Sequence, residues 1–449
     1  MRHHNSGKPK TRAARAVASA LLALLCTGCS AAAGSADVDA LLRAPQLTGQ
    51  SSAVLRALNS YLGATATLKY PASGDFLSPF LFGDWDGDGT QEAAVLYAGD
   101  GSGANVWLAV LEPGQDGTWR VTQTAEGLSS EVESVTYARL REDDSQQILV
   151  GYGSQGDTYL TVYSYTNDSA GSTLQTVLRQ AYTEMLLADI TGRTDTQDLV
   201  LALPSEDPGE GVNLQLLTSV SGTFKSSQLL SIGAGVYSSC ASLHAGTGRD
   251  GGSYLVMDGW AGGAGTYLAS TILVYDGTNF LTVYQPVNVS DFYRATTRYD
   301  PALLSQDIDG NGTVDIPVEV DDGGVLDAPV DKRLRFLLWK DYTTNGGGNT
   351  EFGVYDTEYQ FFLPLPESLH GNIRLRSNAA ATGWVLANAE DGTVYCELRA
   401  VDQKEAQNGD YLRIANMGSQ QLQVRVLTAK SYYGLSAEDI AKKVVFLNG

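Results

Sequence analysis

From Phe76 onward the chain repeats one unit: a short strand, a polar loop, and a second strand that is apolar almost throughout. The first copy runs from Phe82-Gly-Asp to Ala93-Ala-Val-Leu-Tyr97. The second joins Tyr137–Leu140 to Ile148–Tyr152, and the third joins Leu187–Ile190 to Leu199–Leu203. A weaker fourth joins Ser239–Leu243 to Tyr254–Met257, and a fifth joins Leu304–Ile308 to Ile316–Val320. The first four follow one another at about fifty residues, the size of one propeller blade. A strand without polar alternation is buried on both faces. A radial stack of sheets provides such burial, whereas a two-layer sandwich leaves one face wet and forces alternation. Hairpins follow some copies, as in Val106–Leu111 with Thr118–Val121 and Thr271–Tyr275 with Asn279–Val283. Gln115-Asp-Gly117 and Asp276-Gly277 supply the turns. Each unit therefore holds four short strands. The expected fold is all-β: a β-propeller of six or seven four-stranded blades, with five as the lower count and five repeat units recognisable.

The flanks are organised differently. Residues 29–50 open with Ala-Ala-Ala-Gly-Ser-Ala and read as a flexible tether. Residues 51–75 hold a short helix, capped by Ser51 or Ser52, with Leu55, Leu58 and Leu62 on one face and Gly63 ending it. Thr65–Tyr70 reads as a strand. The repeats are assigned to 76–345, and Gly346-Gly-Gly-Asn349 reads as a flexible break. Residues 346–449 hold further strands and a final helix opened by a Ser436/Asp439 capping box. This β-rich C-terminal region is expected to contribute some strands to the ring.

The first loop is the most acidic. In Asp84-Trp-Asp-Gly-Asp-Gly-Thr-Gln-Glu92 the acids fall at positions 1, 3, 5 and 9. Two carboxylates 4 Å apart repel by roughly 4 kcal/mol at an effective dielectric near 20. Four within nine residues call for a cation, and alternating acids with glycines suit the pliable oxygen shell of calcium. With Phe82-Gly83 before it, this loop resembles the FG-GAP repeat of integrin-α-type propellers and of bacterial VCBS-type proteins. Asp307-Ile-Asp-Gly-Asn-Gly-Thr-Val-Asp315 is a second match. The resemblance implies calcium held by the side chains of Asp84, Asp86, Asp88 and Glu92, and by those of Asp307, Asp309, Asn311 and Asp315. Thr90 and Thr313 would add backbone carbonyls. The third copy places Thr191 and Arg193 at positions 3 and 5, where an arginine takes the ion's place, and the second carries Arg139 and Arg141. Neither is expected to hold metal.

The leader sets the compartment. Residues 1–28 hold five basic residues and no acid, followed by the apolar run Val17–Leu25 and then Cys26-Thr-Gly-Cys29. This is the layout of a signal peptide, with a run too short to span a bilayer. Its end resembles the bacterial lipoprotein cleavage box, which makes Cys29 the lipidated first residue, although Cys26 stands where the box usually has Leu. An ordinary secretory signal cut nearby is the other reading. Both place the protein outside the cytoplasm; the first makes it a monomer anchored to the membrane by lipid. The net charge of −21 over 449 residues, more negative still without the leader, excludes nucleic acid as a partner. Cys240 and Cys396 remain, either as a disulfide or as two buried thiols.

Chemistry is hard to find. Only His244 and His370 survive outside the leader, and no Gly-x-Ser-x-Gly elbow or zinc-type cluster occurs. Gly99-Asp-Gly101-Ser-Gly-Ala104 fits a dinucleotide fingerprint but leads into a strand rather than a helix, so it reads as a hairpin turn. Asp321-Asp322 and Glu142-Asp143-Asp144 offer carboxylate pairs, and Trp260, Tyr267, Tyr293 and Tyr299 offer rings for a binding face or the interior. The expected function is a non-catalytic, calcium-stabilised lipoprotein presenting a binding surface for an extracellular protein or glycan. A polysaccharide hydrolase using paired carboxylates and a structural envelope component are the alternatives.

Overall fold

Strand after strand runs antiparallel to the one before it. The computed structural model describes residues 49–447, apart from short internal stretches, the longest being 283–292, 343–349 and 428–435. The leader, Cys29 and the Gly346–Asn349 break lie outside the described residues. Val54 to Gly449 forms one compact unit. Its first sheet is the meander Phe80–Gly83, Glu92–Ala98, Val106–Pro113, Trp119–Glu126. The second is Glu131–Ala138, Gln147–Ser154, Asp157–Asp168, Gly171–Ala181. The third is Glu184–Ala188, Asp198–Leu203, Val212–Val220, Thr223–Ser226, with Leu230–Ile232 also paired to Val212–Val220. The fourth is Tyr237–Thr247, Ser253–Ala261, Tyr267–Tyr275, Phe280–Thr282.

The apolar second strands divide their side chains between two neighbours. In Gln147–Ser154, Ile148, Val150 and Tyr152 pack on the first sheet, and Leu149 on the third. In Asp198–Leu203, Leu199 and Leu201 meet the second sheet, while Val200 and Ala202 meet the fourth. In Ser253–Ala261, Leu255 and Met257 meet the third sheet, and Tyr254 and Val256 meet Val314 and Ile316 of the fifth. Burying one such side chain contributes about 1.5–3 kcal/mol, so the second, third and fourth sheets are stabilised from both sides. This is the blade stack of a β-propeller. The first sheet's other face is covered by the helix Gly49–Leu62, through Val54 and Leu58 against Ala93, Val95 and Tyr97.

The C-terminal region adds to this stack. The fifth sheet joins Ile316–Glu319 and Leu334–Lys340 to Thr350–Asp356 and Phe361–Leu365, so the expected boundary at 345 falls inside a sheet. Val445–Phe446 extends its edge. The sixth is built from Ile373–Ser377, Gly383–Asn388, Val394–Asp402, Gln420–Val426 and Leu412–Met417, with Val325–Leu326 parallel on its edge. Phe336, Val354 and Leu363 pack it against the fifth through Leu375, Trp384 and Leu398. Among the described residues, no buried cluster joins the sixth sheet to the first.

Local expectations fare unevenly. Ser436 Oγ accepts from Asp439 N at 3.0 Å and caps the helix Ala437–Lys443, as its sequence requires. Gly63 ends the first helix with φ 66°. Ser51 and Ser52 lie within that helix rather than capping it. Thr65–Tyr70 makes one isolated bridge, Leu68 to Tyr97, because the first sheet's edge strand already occupies most of that side. Cys240 and Cys396 are both buried and unpaired.

Candidate metal centres

Four of the loops that open a second strand close in one way. A backbone pair shuts each loop: Gly83 with Glu92, Ala138 with Gln147, Ala188 with Asp198, and Gln306 with Asp315. The closing side chain then reaches back and accepts an N–H from the residue at position 2. Glu92 Oε2 takes Trp85 N at 2.8 Å, Gln147 Oε1 takes Leu140 N at 2.8 Å, Asp198 Oδ2 takes Ile190 N at 3.1 Å, and Asp315 Oδ2 takes Ile308 N at 3.3 Å. Trp85, Leu140, Ile190 and Ile308 are all buried and anchor the loop to the core. The frame is common to all four; what balances its buried polar group differs.

In the first loop no cation among the described residues pairs with it. Ligand oxygens of Asp84, Asp86, Asp88 and Glu92 lie within 4.8 Å of one another. Asp84 Oδ1 accepts from Gly87 N at 2.8 Å and its Oδ2 from Gly89 N at 3.0 Å. Asp86 Oδ1 takes Asp88 N at 3.1 Å, and Asp88 Oδ1 takes Thr90 N at 2.6 Å. Gly87 and Gly89 have φ of 82° and 86°, a backbone that side chains resist, and this turns the carboxylates inward. Glu92 is 2% exposed. Burial, then the charges of Asp86, Asp84 and Asp88, push its carboxyl up to about 8. Burial, then Asp88 and Asp84, also raise that of Asp86.

The fifth-sheet loop repeats the arrangement. Asp307 accepts from Gly310 N at 2.8 Å, Asn311 N at 3.0 Å and Gly312 N at 2.8 Å. Asn311 N donates to Asp309 Oδ1 at 3.2 Å, and Asn311 Oδ1 accepts from Thr313 N at 2.7 Å. Oxygens of Asp307, Asp309 and Asp315 also fall within 4.8 Å of one another. Burial, then Asp309, Asp341 and Asp307, push the Asp315 carboxyl up to about 7. Oxygens about 2.3–2.6 Å from one calcium ion lie no more than about 5 Å apart, so both donor sets fit that ion.

The other two loops carry their own cations. Arg193 places a guanidinium 2.6 Å from Asp198 Oδ1 and donates through Nε to Thr191 Oγ1 at 3.1 Å. Asp198 is fully buried. Sequence reasoning assigned Arg193 to the ion's place but missed Asp198, because this loop is one residue longer. The available signal was a polar residue immediately before each apolar strand: Glu92, Gln147, Asp198, Asp315. In the second loop the closing residue is the neutral Gln147, while Arg139 and Arg141 pair with Asp144 at 2.7 Å and Asp143 at 2.9 Å.

The loops are tied to each other. Gln146 N donates to Asp84 O at 3.2 Å, Gln197 N to Arg139 O at 2.8 Å, and Ser253 Oγ to Asp189 O at 2.6 Å. Thr247 N donates to Gly312 O at 3.0 Å. A Cβ on Gly87 would lie 2.9 Å from the Asp144–Ser145 backbone, so the first loop seats directly on the second.

The other candidates have structural occupations. Glu142 and Asp322 lie 3.9 Å from Arg193 and 3.4 Å from His370, respectively, and both side chains are largely exposed, so their acid runs are solvated loops. Burial pulls the pKa of His244 down and pushes the Cys240 and Cys396 thiols up, Cys396 to about 12, which leaves no activated nucleophile among them. Tyr293 packs edge-on against Tyr237, and Tyr267 against Tyr299. Asp258 and Arg298, a fully buried pair at 2.6 Å, belong to no local sequence pattern. Burial opposes the charge on Asp258, but Arg298, Ser270 and the Ser305 backbone outweigh it and hold its carboxyl below the usual range. The pair ties the segment after residue 292 to the fourth sheet.

No family model and no curated protein matches the chain. Among solved structures, Chaetomium thermophilum Sqt1 bound to the N-terminus of ribosomal protein L10 is 11% identical, covering 77% of this chain and 98% of Sqt1, with a TM-score of 0.32. Sqt1 without that partner aligns at 11% identity over 75% of this chain and 93% of its own, with a TM-score of 0.30. Likeness at this level carries no argument about ligand or function; the fold stands on its own sheet order and packing.

Proposed function

We propose that the chain is an extracytoplasmic, calcium-stabilised propeller lipoprotein, held to the membrane through a lipid on Cys29 and presenting a binding surface to a protein or glycan. One observation carries the reading. Of four loops built on one frame, two neutralise themselves with arginine and two leave crowded carboxylates around one point. Asp84, Asp86, Asp88 and Glu92 would hold the first ion; Asp307, Asp309, Asn311 and Asp315 would hold the second. Calcium there supplies charge compensation. The chain converts it into rigidity, since Asp84 also bonds the second loop and Gly312 the turn of the fourth sheet. The loops thus act as clasps between neighbouring blades, and the surface the blades present gains definition.

Thermal unfolding in calcium against chelator tests the clasp. Saturating ligand at a hundred times its dissociation constant adds about 2.7 kcal/mol per site, so the midpoint should rise by several degrees. Asp84→Ala should lose about half of that rise; an equal rise in the variant contradicts the assignment. The anchor rests on the leader pattern alone. Among the described residues no helix is long and apolar enough to cross a membrane. Cys29→Ser should release the protein from the membrane fraction, and retention would count against lipidation.

A further inference from the structure

We propose that the cleft at the hairpin end of the first sheet binds a neutral oligosaccharide. The proposal rests on the binding-scaffold reading and gives that scaffold a site and a ligand class. The cleft encloses about 710 Å³, within the roughly 300–1,000 Å³ that ligand sites occupy. It lies where the N-terminal helix ends and where the Gly99–Ala104 hairpin turns, the stretch whose glycines resemble a dinucleotide fingerprint without the helix to serve one.

Three rings line it. Tyr61 stands at the end of the helix, 58% exposed. Tyr97 lies at the floor, 4% exposed, and Trp107 is half-buried beside it. The backbone of Gly99 passes so close to Trp107 that a Cβ there would lie 2.8 Å from the indole nitrogen, which keeps that wall low. Ring faces of this kind pack against the C–H faces of a pyranose. Polar groups stand around them: Asn105 Nδ2 donates to Glu126 Oε1 at 3.1 Å, which sets amide and carboxylate side by side at the rim. Planar acceptors placed beside rings suit vicinal hydroxyls.

Charge narrows the class. No Lys or Arg lines the cleft, and Asp100 and Glu126 stand exposed at its edge. An anionic sugar, a phosphate or a nucleic acid would meet two carboxylates and no cation. Tyr61, Trp107 and the Asn105 amide are uncharged, so a neutral ligand meets them with no charge to desolvate, and a cationic probe is the charged alternative that the titration separates.

The site is independent of the clasps. Glu92 of the first acidic loop and Tyr97 of the cleft stand near opposite ends of the strand Glu92–Ala98, roughly 16 Å apart at the usual rise of a strand. Isothermal titration of the full chain with cellotetraose, maltotetraose and chitotetraose tests the proposal, with tetragalacturonate and tetralysine as charged counterparts. At least one neutral tetrasaccharide should bind. Tyr61→Ala should weaken it by roughly fivefold or more, the value of one aromatic contact, without moving the unfolding midpoint. Glu126→Gln, which keeps the shape of the rim, should also bind more weakly. Failure of all three neutral sugars, binding of a charged probe alone, or affinity unmoved by Tyr61→Ala would overturn the proposal. If sugar binding fails while calcium still raises the midpoint, the site falls and the calcium clasp stands.

Discussion

At the scale of single residues, Glu92 and Asp315 are the sharpest reporters. Each closes its loop with a buried carboxyl whose pKa is raised, to about 8 and about 7, from ordinary values of 4.5 and 3.8. In the cation-free protein the folded state therefore holds more protons than the unfolded chain between those limits. Its stability from these two groups is present below the unfolded values and is lost as pH rises through 7 and 8. A calcium ion held by these groups would bind their ionised form, so the stabilisation it would add grows over the same window. The calcium-induced shift in unfolding midpoint should be larger at pH 8 than at pH 5.5. An equal or smaller shift at pH 8 would contradict the account. The acidic positions of both loops were legible because their spacing alternates with glycine. Asp258 and Arg298 were not, because forty residues of chain separate them and neither belongs to a local pattern.

At the scale of the element, one loop frame serves two purposes. In the third loop Arg193 supplies from within the chain the charge that an ion would bring to the first. Asp198 is fully buried, and removing one partner of such a pair costs about 3–5 kcal/mol, because the other charge is left stranded. Arg193 keeps 28% of its side chain exposed, which places the expected loss toward the lower end. Arg193→Ala should destabilise the protein by about 3 kcal/mol in chemical unfolding; a loss under about 0.5 kcal/mol, the range of ordinary surface changes, would show that water or a neighbour already compensates Asp198. The sequence identified Arg193 as an occupant, yet the partner it occupies lay one residue beyond the expected place. Loop length is read only once the closing backbone pair, Ala188 with Asp198, is known.

For the whole molecule, burial on both faces of the second strands was the legible signal, and it led to the blade stack. The number of blades was not legible. In the fifth sheet the first strand has shrunk to the bridge of Gln306 with Asp315, and its later strands lie beyond the Gly-rich stretch near 346. The turn between the first two strands of the sixth, residues 378–382, carries no acid, and its strand order places Gln420–Val426 inside Leu412–Met417, a pairing that hydrophobic pattern alone does not distinguish from a meander. The helix cover on the first sheet was likewise invisible, since an amphipathic helix does not declare which sheet receives it. Across this stack, the claim on which the rest depends is that two clasps are closed by calcium, while the other two, one closing on Asp198 paired with Arg193 and one on the neutral Gln147, need no ion. Calorimetric titration of chelated protein with calcium tests it most directly. The account predicts two ions per chain, the tighter one lost in Asp84→Ala, the weaker lost in Asp307→Ala, and none bound by the double variant. Binding that survives in the double variant, or a greater loss of affinity at Asp307 than at Asp84, would contradict it.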